Sequence, residues 1–360
     1  MSEFIGKGSY GCIFKPSINC DGTIGDDKKV SKFFLYEEDY INELKLQEII
    51  DKIDIENKFT IKKISNCRIK ITQELKKKIK NFDRCRDISN DIYQITFEFG
   101  GYDLYRLFKN NLDKIKDVDL SLFFKSFLTI FEGLSILDKN QLIHFDIRSD
   151  NILYDPEKMK FVIIDFGLMK FRKNIFSNKL FTSFHKNPHL NYPNEFILLY
   201  FIINNKEIDK FKLNSYSYIE YNKDKINSLK LLDKKFNLYI KKFNEIYDYL
   251  INDINMNLEE TLKIFKKLKY TFDDISINKK TSLICGDIKS KIDVYMLGIV
   301  LLDLLFHIFI LIPSNPTIFS IPLSLFDLIK KMISLNPCNR PTIQDAMKEF
   351  KELMKISSSP

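Results

Sequence analysis

The sequence lacks the cysteine spacing that zinc sites and redox motifs require. Its cysteines form no C-x-x-C pair, and none has a histidine beside it. Closely spaced Cys and His ligands are needed for a structural zinc site. We therefore expect free thiols, as in proteins of a reducing compartment. The six cysteines are Cys12, Cys20, Cys67, Cys85, Cys285 and Cys338.

The sequence also lacks tryptophan and a contiguous basic block. Phe (32 residues) and Tyr (17) are abundant, and the enrichment in Lys, Asn, Ile and Phe follows the AT-rich codons of these residues. The net charge of +8 comes from short runs such as 76–78. A solvated Lys-rich surface accounts for this charge, and no nucleic-acid-binding motif accompanies it. We expect no nucleic-acid partner.

No apolar signal region is present in the N-terminal residues MSEFIGKGSYG, so we expect an intracellular, cytoplasmic protein. One apolar run, 294–312, has a borderline length for a membrane span. It contains Asp303 and His307, and a helix that is apolar all round can equally be the buried centre of a globular lobe. We favour the buried helix and expect no membrane span.

The most informative stretch is LIHFDIRSDNILYDPEKMKFVIIDFG, 142–167, which contains His144, Asp146, Asn151 and Asp165. In phosphoryl transfer, one carboxylate orients and deprotonates the acceptor hydroxyl, while an amide and a second carboxylate hold magnesium. The pattern H-x-D-x-x-x-x-N followed by D-F-G resembles the catalytic and metal loops of eukaryotic-type protein kinases. The resemblance implies that Asp146 is the catalytic base and that Asn151 and Asp165 bind Mg²⁺ or Mn²⁺.

A glycine-rich segment near the start of the sequence has the pattern G-x-G-x-x-G. Glycines let a backbone approach phosphates closely. A dinucleotide-binding fingerprint would need a strand before the first glycine and a helix after the last, whereas 12–14 reads as a strand. The pattern therefore resembles the kinase loop that covers ATP. The residues implied in nucleotide binding are Ile5, Gly6, Lys7, Gly8, Ser9, Tyr10, Gly11, Cys12 and Ile13.

Lys32 lies in an alternating segment, 30–34, that predicts a strand. V-x-K there resembles the kinase V-A-I-K motif, which implies that Lys32 holds the α- and β-phosphates of ATP. The alternative is an ordinary surface lysine. Residues 37–53 read as an amphipathic helix, and in the family a glutamate of this helix pairs with the lysine. Glu43 and Glu48 both qualify by distance, and we favour Glu43.

An alternating segment, 92–99, predicts a strand that runs into Gly100-Gly101. This order of elements resembles the hinge of kinases, where adenine binds backbone groups. The resemblance implies that Phe97 is the gatekeeper and that Glu98 and Gly100 offer the backbone contacts. An ordinary connection between a strand and a turn is the alternative.

The catalytic loop departs from the family pattern at two positions. Phe145 replaces the arginine of H-R-D, which commonly reads a phosphate on the activation loop, so we expect that this control is missing. Arg148 replaces the lysine usual in Ser/Thr kinases. It would still place positive charge near the γ-phosphate, although as a planar fork rather than a point charge.

Further matches lie downstream. Pro193-Asn194-Glu195 resembles the A-P-E motif, and the resemblance implies a buried ion pair between Glu195 and Arg340. S-x-x-D-V-Y-x-L-G resembles a family helix whose aspartate, here Asp293, binds the backbone of the catalytic loop. The intervening region, 197–287, reads as an insertion with helical spacing at 236–262. It could dock partners or substrate, or be a lineage-specific elaboration.

Taken together, the motifs occur in the order found in protein kinases, and the chain is similar to kinases of large DNA viruses. The implied fold is α+β and bilobal. A small antiparallel β N-lobe with one helix would span 1–99, and a mostly helical C-lobe would span 100–360. The implied activity is transfer of the γ-phosphoryl of ATP to Ser/Thr hydroxyls of protein substrates. A pseudokinase scaffold and a small-molecule kinase are the alternatives.

Overall fold

The computed structural model describes residues 1–7, 11–85, 91–174, 192–193, 209–268, 288–334 and 336–356 of an α+β protein. The chain divides into two compact units. Unit 1 consists of Met1–Tyr102, Leu153–Asp155 and Phe161–Gly167, and unit 2 consists of Asp103–Ile152, Pro156–Lys160 and Leu168–Pro360. The chain therefore returns to unit 1 twice, and the D-F-G residues belong to unit 1 rather than to the helical unit.

Unit 1 is built on a six-stranded sheet of order β4-β6-β3-β2-β1-β5. The paired strands run antiparallel except β1 and β5, which are parallel. The expectation of a purely antiparallel sheet is thus wrong at this edge, where a short strand follows helix α2 (Gln73–Lys77). The strands are β1 (Ser2–Lys7), β2 (Gly11–Lys15), β3 (Lys29–Phe34), β4 (Lys63–Lys70), β5 (Ile79–Lys80) and β6 (Asp91–Glu98).

The predicted helix of unit 1 is confirmed as α1 (Glu37–Ile53). Acidic residues at 37–39 occupy its first turn, where they complement the helix dipole. Tyr40 and Ile50 are buried, and the Tyr40 ring stacks on Tyr93 of β6 at 4.8 Å. The buried face places α1 against the sheet, next to β3 and β6.

Two disulfides contradict the prediction of free thiols. Cys12 is bonded to Cys85 and Cys20 to Cys67, each with a Cα–Cα distance of 6.0 Å, and Cys338 is disulfide-bonded as well. The partners are 73 and 47 residues apart in sequence, so no local spacing pattern marks them. Because the thiols are paired, they no longer support a reducing compartment, and the intracellular location stays a prediction.

A second, three-stranded sheet has the order β10-β9-β7. Its strands are β7 (Tyr102–Asp103), β9 (Ile152–Asp155) and β10 (Lys160–Ile163). Gly101, directly before β7, has φ +104°, and a Cβ atom there would collide with the carbonyl group of Tyr154. Only glycine fits this left-handed position beside a neighbouring backbone.

The described part of unit 2 is mainly helical, and it contains a two-stranded sheet of β8 (Leu142–Ile143) and β11 (Lys170–Phe171). Its helices are α3 (Leu104–Asn110), α4 (Leu120–Ser126), α5 (Leu128–Lys139), α6 (Asp209–Ser228), α7 (Asn237–Leu268), α8 (Ile292–Leu311), α9 (Ser324–Met332) and α10 (Ile343–Leu353). Helix α7 confirms the helical interpretation of 236–262. Residues 120–139 form two consecutive helices, α4 and α5, separated at Phe127. At the break, the Ser126 hydroxyl donates to the carbonyl of Phe123 and competes with the helix backbone.

Helix α8 is the apolar helix at the centre of unit 2, and most of its side chains are buried. Among the described residues, two segments, Leu120–Lys139 and Lys289–Leu311, are long and apolar enough to cross a membrane. In their most apolar windows, 56% and 72% of the residues are buried inside the protein. A core helix of a soluble protein passes the same test, so the absence of a membrane span stays a prediction.

Candidate active site

In unit 1, Lys32 of β3 pairs with Glu43 of α1, with Nζ 2.8 Å from Oε1. The two side chains are 13% and 12% exposed, so solvent screens the pair only partly. The exposed Glu48 lies five residues further along α1, on a different face of the helix. The structure therefore selects Glu43 as the partner and excludes the reading of Lys32 as an unpaired surface lysine.

The glycine-rich segment forms the connection between β1 and β2. Gly8, Ser9 and Tyr10 lie outside the described residues. On the two flanking strands, Gly6 is paired with Ile13 and Lys7 with Cys12. The two flanking strands are thus paired up to the connection, and its phosphate-binding role stays a prediction.

Three further residues of this segment are placed by the core of unit 1. A Cβ atom at Gly11 would collide with the Phe33 carbonyl, so the close approach of β2 to β3 requires glycine. Ile5 packs against an apolar cluster of the sheet. Cys12 is fully buried and bonded to Cys85, so its backbone, and not its side chain, is the part that could face a nucleotide.

The predicted hinge follows β6 directly. Phe97 is buried in an apolar cluster of unit 1, and its role as a gatekeeper stays a prediction. The N–H of Glu98 donates to the Lys62 carbonyl at 2.9 Å, so a nucleotide contact from Glu98 would come from its carbonyl group. At Gly100, an added Cβ would meet the side chains of Ile61, Leu153 and Val162. The Gly100 backbone is thus bordered by apolar side chains of unit 1.

Asp165 follows β10 and has a left-handed backbone, with φ 60°. Its Oδ1 atom is buried and has no hydrogen-bond partner among the described residues. A buried carboxylate oxygen without a donor is unfavourable unless a cation or another donor reaches it. The environment of Asp165 therefore fits a ligand of a hard divalent cation.

In unit 2, Asp293 of α8 holds the catalytic loop, which we define as residues 144–151. Its carboxylate accepts the N–H of His144 at 2.8 Å and the N–H of Phe145 at 2.9 Å. This confirms the contact that the sequence motif predicted. Burial raises the pKa of Asp293 to about 6, against the opposing effect of the two N–H donors. The two bonds connect the core helix to the backbone directly before Asp146.

Within the loop, the Asn151 amide nitrogen donates to the Asp146 carbonyl and to Asp146 Oδ2, both at 2.8 Å. Asn151 is almost fully buried. The bonds fix both side chains relative to each other, and the amide oxygen of Asn151 is the atom that can bind a metal ion. A carboxylate and an amide are thus held together on one loop.

Arg148 has a partner inside the loop. Its guanidinium donates to the carboxylate of Asp150, and both side chains are more than a third exposed. The positive charge predicted to lie near a γ-phosphate is therefore balanced by a neighbouring carboxylate in this structure, and Arg148 would have to leave Asp150 to bind phosphate.

Phe145 occupies the position of the missing arginine. It is fully buried, has φ 66°, and packs against Tyr192 with ring centroids 5.6 Å apart. An aromatic contact therefore joins the catalytic loop to residue 192, just before the predicted A-P-E-like motif. The apolar ring offers no group that could bind a phosphate.

Of the predicted ion pair between Glu195 and Arg340, the structure describes only Arg340, because Glu195 lies outside the described residues. Arg340 is 1% exposed, donates to the Ser334 carbonyl, and lies 4.8 Å over the ring of Tyr295. The burial of Arg340 agrees with a structural role in unit 2.

Two contacts of this site were missed in the sequence. Arg172, after D-F-G, donates to the carboxylate of Asp138 at the end of α5. Ser149 of the catalytic loop donates to Asp303 of α8 at 2.9 Å. The two residues of each pair are far apart in sequence. Within its apolar run, Asp303 carries no motif that would indicate a partner in the catalytic loop.

Among the described residues, no group of three or more His, Cys, Asp or Glu side chains is placed to hold a metal ion. Magnesium is commonly bound by one or two protein ligands together with substrate phosphates and water. No protein-family model matches the sequence, and no curated protein is similar to it.

Proposed function

We propose that this chain is a protein kinase that transfers the γ-phosphoryl of ATP to Ser/Thr hydroxyls of protein substrates. The observation that carries the proposal is the catalytic loop of unit 2. There Asp146 and Asn151 are hydrogen-bonded to each other, and Asp293 holds the backbone before them. A positioned carboxylate next to a buried amide is the arrangement that an acceptor hydroxyl and a metal ion require.

Each side chain has a role in this proposal. Lys32, held by Glu43, binds the α- and β-phosphates together with the glycine-rich connection. Asp165 and Asn151 bind Mg²⁺ or Mn²⁺, which neutralises phosphate charge when bound. Asp146 accepts a hydrogen bond from the acceptor hydroxyl and takes its proton as the phosphoryl group is transferred.

The protein contributes positioning and charge compensation rather than covalent chemistry. A loose phosphoryl-transfer transition state spreads charge over three oxygens, so preorganised cations and hydrogen-bond donors stabilise it. Lys32 supports this role because its pair with Glu43 fixes the ammonium group before a nucleotide binds. Holding the acceptor at Asp146 lowers the entropic part of the barrier.

A pseudokinase scaffold is the second candidate function. The helical segments at 209–268 offer it a surface for partners. The retained Lys32, Asp146, Asn151 and Asp165 favour the active enzyme, because a scaffold has no need of all four. A small-molecule kinase shares the catalytic loop, whereas the motifs at Asp293 and Arg340 resemble those of protein kinases.

The test is transfer of radiolabelled γ-phosphate from ATP with Mg²⁺ or Mn²⁺, to the protein itself and to a mixture of peptides. We expect Asp146→Asn to lower turnover by about 10²-fold or more, while stabilisation of the protein by nucleotide is retained. Asp117→Asn, a change at an exposed aspartate of unit 2, is the matched control and should have no effect.

Two results would contradict the proposal. Unchanged turnover in Asp146→Asn would refute the role of Asp146. Thermal stabilisation by ATP without phosphate transfer in the unmodified protein would favour the pseudokinase scaffold. An Asp165→Ala variant provides the second control, because it should lose the metal-dependent part of nucleotide binding.

A further inference from the structure

Asp303 of α8 connects two parts of unit 2 that are far apart in sequence. Its Oδ2 accepts the Ser149 hydroxyl at 2.9 Å, and its Oδ1 accepts the Tyr218 hydroxyl at 3.1 Å. Ser149 belongs to the catalytic loop, two residues before Asn151. Tyr218 lies on α6, in the region that the sequence identified as an insertion. One carboxylate thus contacts both the loop and the insertion.

The carboxylate of Asp303 is well suited to join these groups, because an ionised carboxylate only accepts hydrogen bonds. Burial alone would raise its pKa, but bonds from His307, Ser149 and Tyr218 outweigh burial and lower the pKa. His307, one turn further along α8, lies with Nδ1 3.3 Å from Oδ1. Asp303 therefore stays ionised at neutral pH and holds several donors at once.

Helix α6 holds Tyr218 in place through neighbouring contacts. Ile219 and Asn222 are buried, and the Asn222 side chain is hydrogen-bonded to Tyr218. Lys223 lies 2.5 Å from Asp248 of α7, and Asn244 of α7 donates to Asn227 at 3.0 Å. Tyr218 is therefore presented to Asp303 from a supported helix and not from a loop.

Helix α7 is in turn fixed to the core of unit 2. The Phe243 ring packs edge-on against Phe326 of α9 at 4.7 Å, and it also contacts Phe309 of α8. Lys242 lies 2.6 Å from Asp327. The helix pair α6–α7 is thus built onto the same helix that carries Asp293 and Asp303, the two carboxylates that contact the catalytic loop.

We propose that Tyr218, acting through Asp303 on Ser149, is a positioning residue for the catalytic loop. The insertion would then support catalysis by holding this loop in place. This inference rests on the proposed kinase function. Asp293 fixes the start of the loop, and the Tyr218–Asp303–Ser149 chain fixes its end, next to Asn151.

The test compares Tyr218→Phe with Tyr221→Phe. Both changes remove one hydroxyl from α6, and the ring of Tyr221 is 59% exposed. Because Tyr218 is 44% exposed, solvent weakens its bond to Asp303 to the strength of an ordinary hydrogen bond. Loss of such a bond predicts that Tyr218→Phe lowers kcat about three- to tenfold. The KM for ATP should stay unchanged, because unit 1 supplies the phosphate-binding lysine. Tyr221→Phe should leave both constants unchanged.

A double-mutant cycle separates positioning from a general loss of stability. If Tyr218 acts through Asp303 on Ser149, the Tyr218→Phe/Ser149→Ala double variant should lose no more kcat than Ser149→Ala alone. Multiplied effects in the double variant, or an equal loss in Tyr221→Phe, would overturn the inference.

Amide hydrogen exchange of residues 144–151 tests the positioning role of Tyr218 separately from the proposed kinase activity, because it does not depend on phosphate transfer. If the unmodified protein transfers no phosphate, the proposed function fails, and the exchange data still report on positioning. We expect faster exchange of the loop in Tyr218→Phe than in Tyr221→Phe. Equal exchange in the two variants, whatever the turnover, would overturn the role of Tyr218.

Discussion

The Lys32 ammonium group lies 2.8 Å from the Glu43 carboxylate, and both side chains are largely removed from solvent. Forming this pair requires desolvation of both groups, and removal of one partner would leave the other charge largely buried without compensation. It orients Lys32 from the helix side, so the ammonium group is fixed before any ligand arrives.

We predict that Glu43→Gln lowers kcat/KM for phosphoryl transfer by about tenfold, equivalent to ~1.4 kcal/mol. The amide retains the shape of the side chain but not the charge that holds Lys32. Steady-state kinetics measure the effect. Glu48→Gln, on the exposed face of the same helix, is the matched control, and an equal loss in both variants would argue against a specific role for Glu43.

A second prediction concerns pH. Burial raises the pKa of Asp293 from 3.8 to about 6, although the N–H groups of Phe145 and His144 oppose the shift. The folded state therefore binds this proton more tightly than the unfolded chain does. The ionised carboxylate costs folding free energy above about pH 6, and this cost disappears as the pH falls toward 3.8.

The measurement is the free energy of unfolding of the unmodified protein minus that of Asp293→Asn. When the pH is lowered from about 7.5 to about 5, we expect this difference to increase by ~1.4 kcal/mol, which stabilises the unmodified protein relative to the variant. Subtracting Asp293→Asn removes the contribution of other titrating groups. A difference that does not change with pH would show that Asp293 keeps its ordinary pKa in the fold.

A third prediction concerns Phe145. Since its buried ring contacts Tyr192 and offers no charge, we expect activity that does not depend on a phosphate in the activation segment. Treatment with a protein phosphatase, followed by its removal, should leave the initial rate of phosphate transfer unchanged. A rate that drops after treatment and recovers with a lag on incubation with ATP would contradict this.

The fourth prediction concerns the two disulfides of unit 1. In the chain-entropy model, loops of 73 and 47 residues each contribute about 4 kcal/mol to stability. Reduction should therefore lower the denaturation midpoint of unit 1. A variant with Ala at positions 12, 20, 67 and 85 should not respond to reductant. Full alkylation of these four thiols in unreduced, denatured protein would show that they are not bonded.

The contacts of individual side chains could be predicted from the sequence where the side chain belongs to a motif. Lys32 and Asp293 were identified by local patterns, and the structure places each against the type of group expected. The choice between Glu43 and Glu48 needed the structure, because helical spacing brings both within reach and only the rotation of α1 about its axis separates them.

Contacts between distant segments could not be predicted. The bond from Tyr218 to Asp303 joins residues 85 positions apart, and Asp303 lies in a run whose apolar neighbours dominate any reading of periodicity. The prediction of free thiols was wrong for the same reason, because the order of strands in the sheet brings the paired cysteines together. The parallel β1–β5 pair also depends on this order and on no residue pattern.

The two returns of the chain to unit 1, at Leu153–Asp155 and Phe161–Gly167, bear on how the protein is made. Synthesis proceeds from the N-terminus, and domains tend to fold as they leave the ribosome. Unit 1 cannot be completed until residue 167 has emerged, by which time only Asp103–Ile152 and Pro156–Lys160 of unit 2 have been synthesised. A fragment that ends at residue 102 would contain all six strands of the main sheet of unit 1 but would lack β9, β10 and Asp165. The main sheet can therefore pair its strands before the last segments of unit 1 are synthesised.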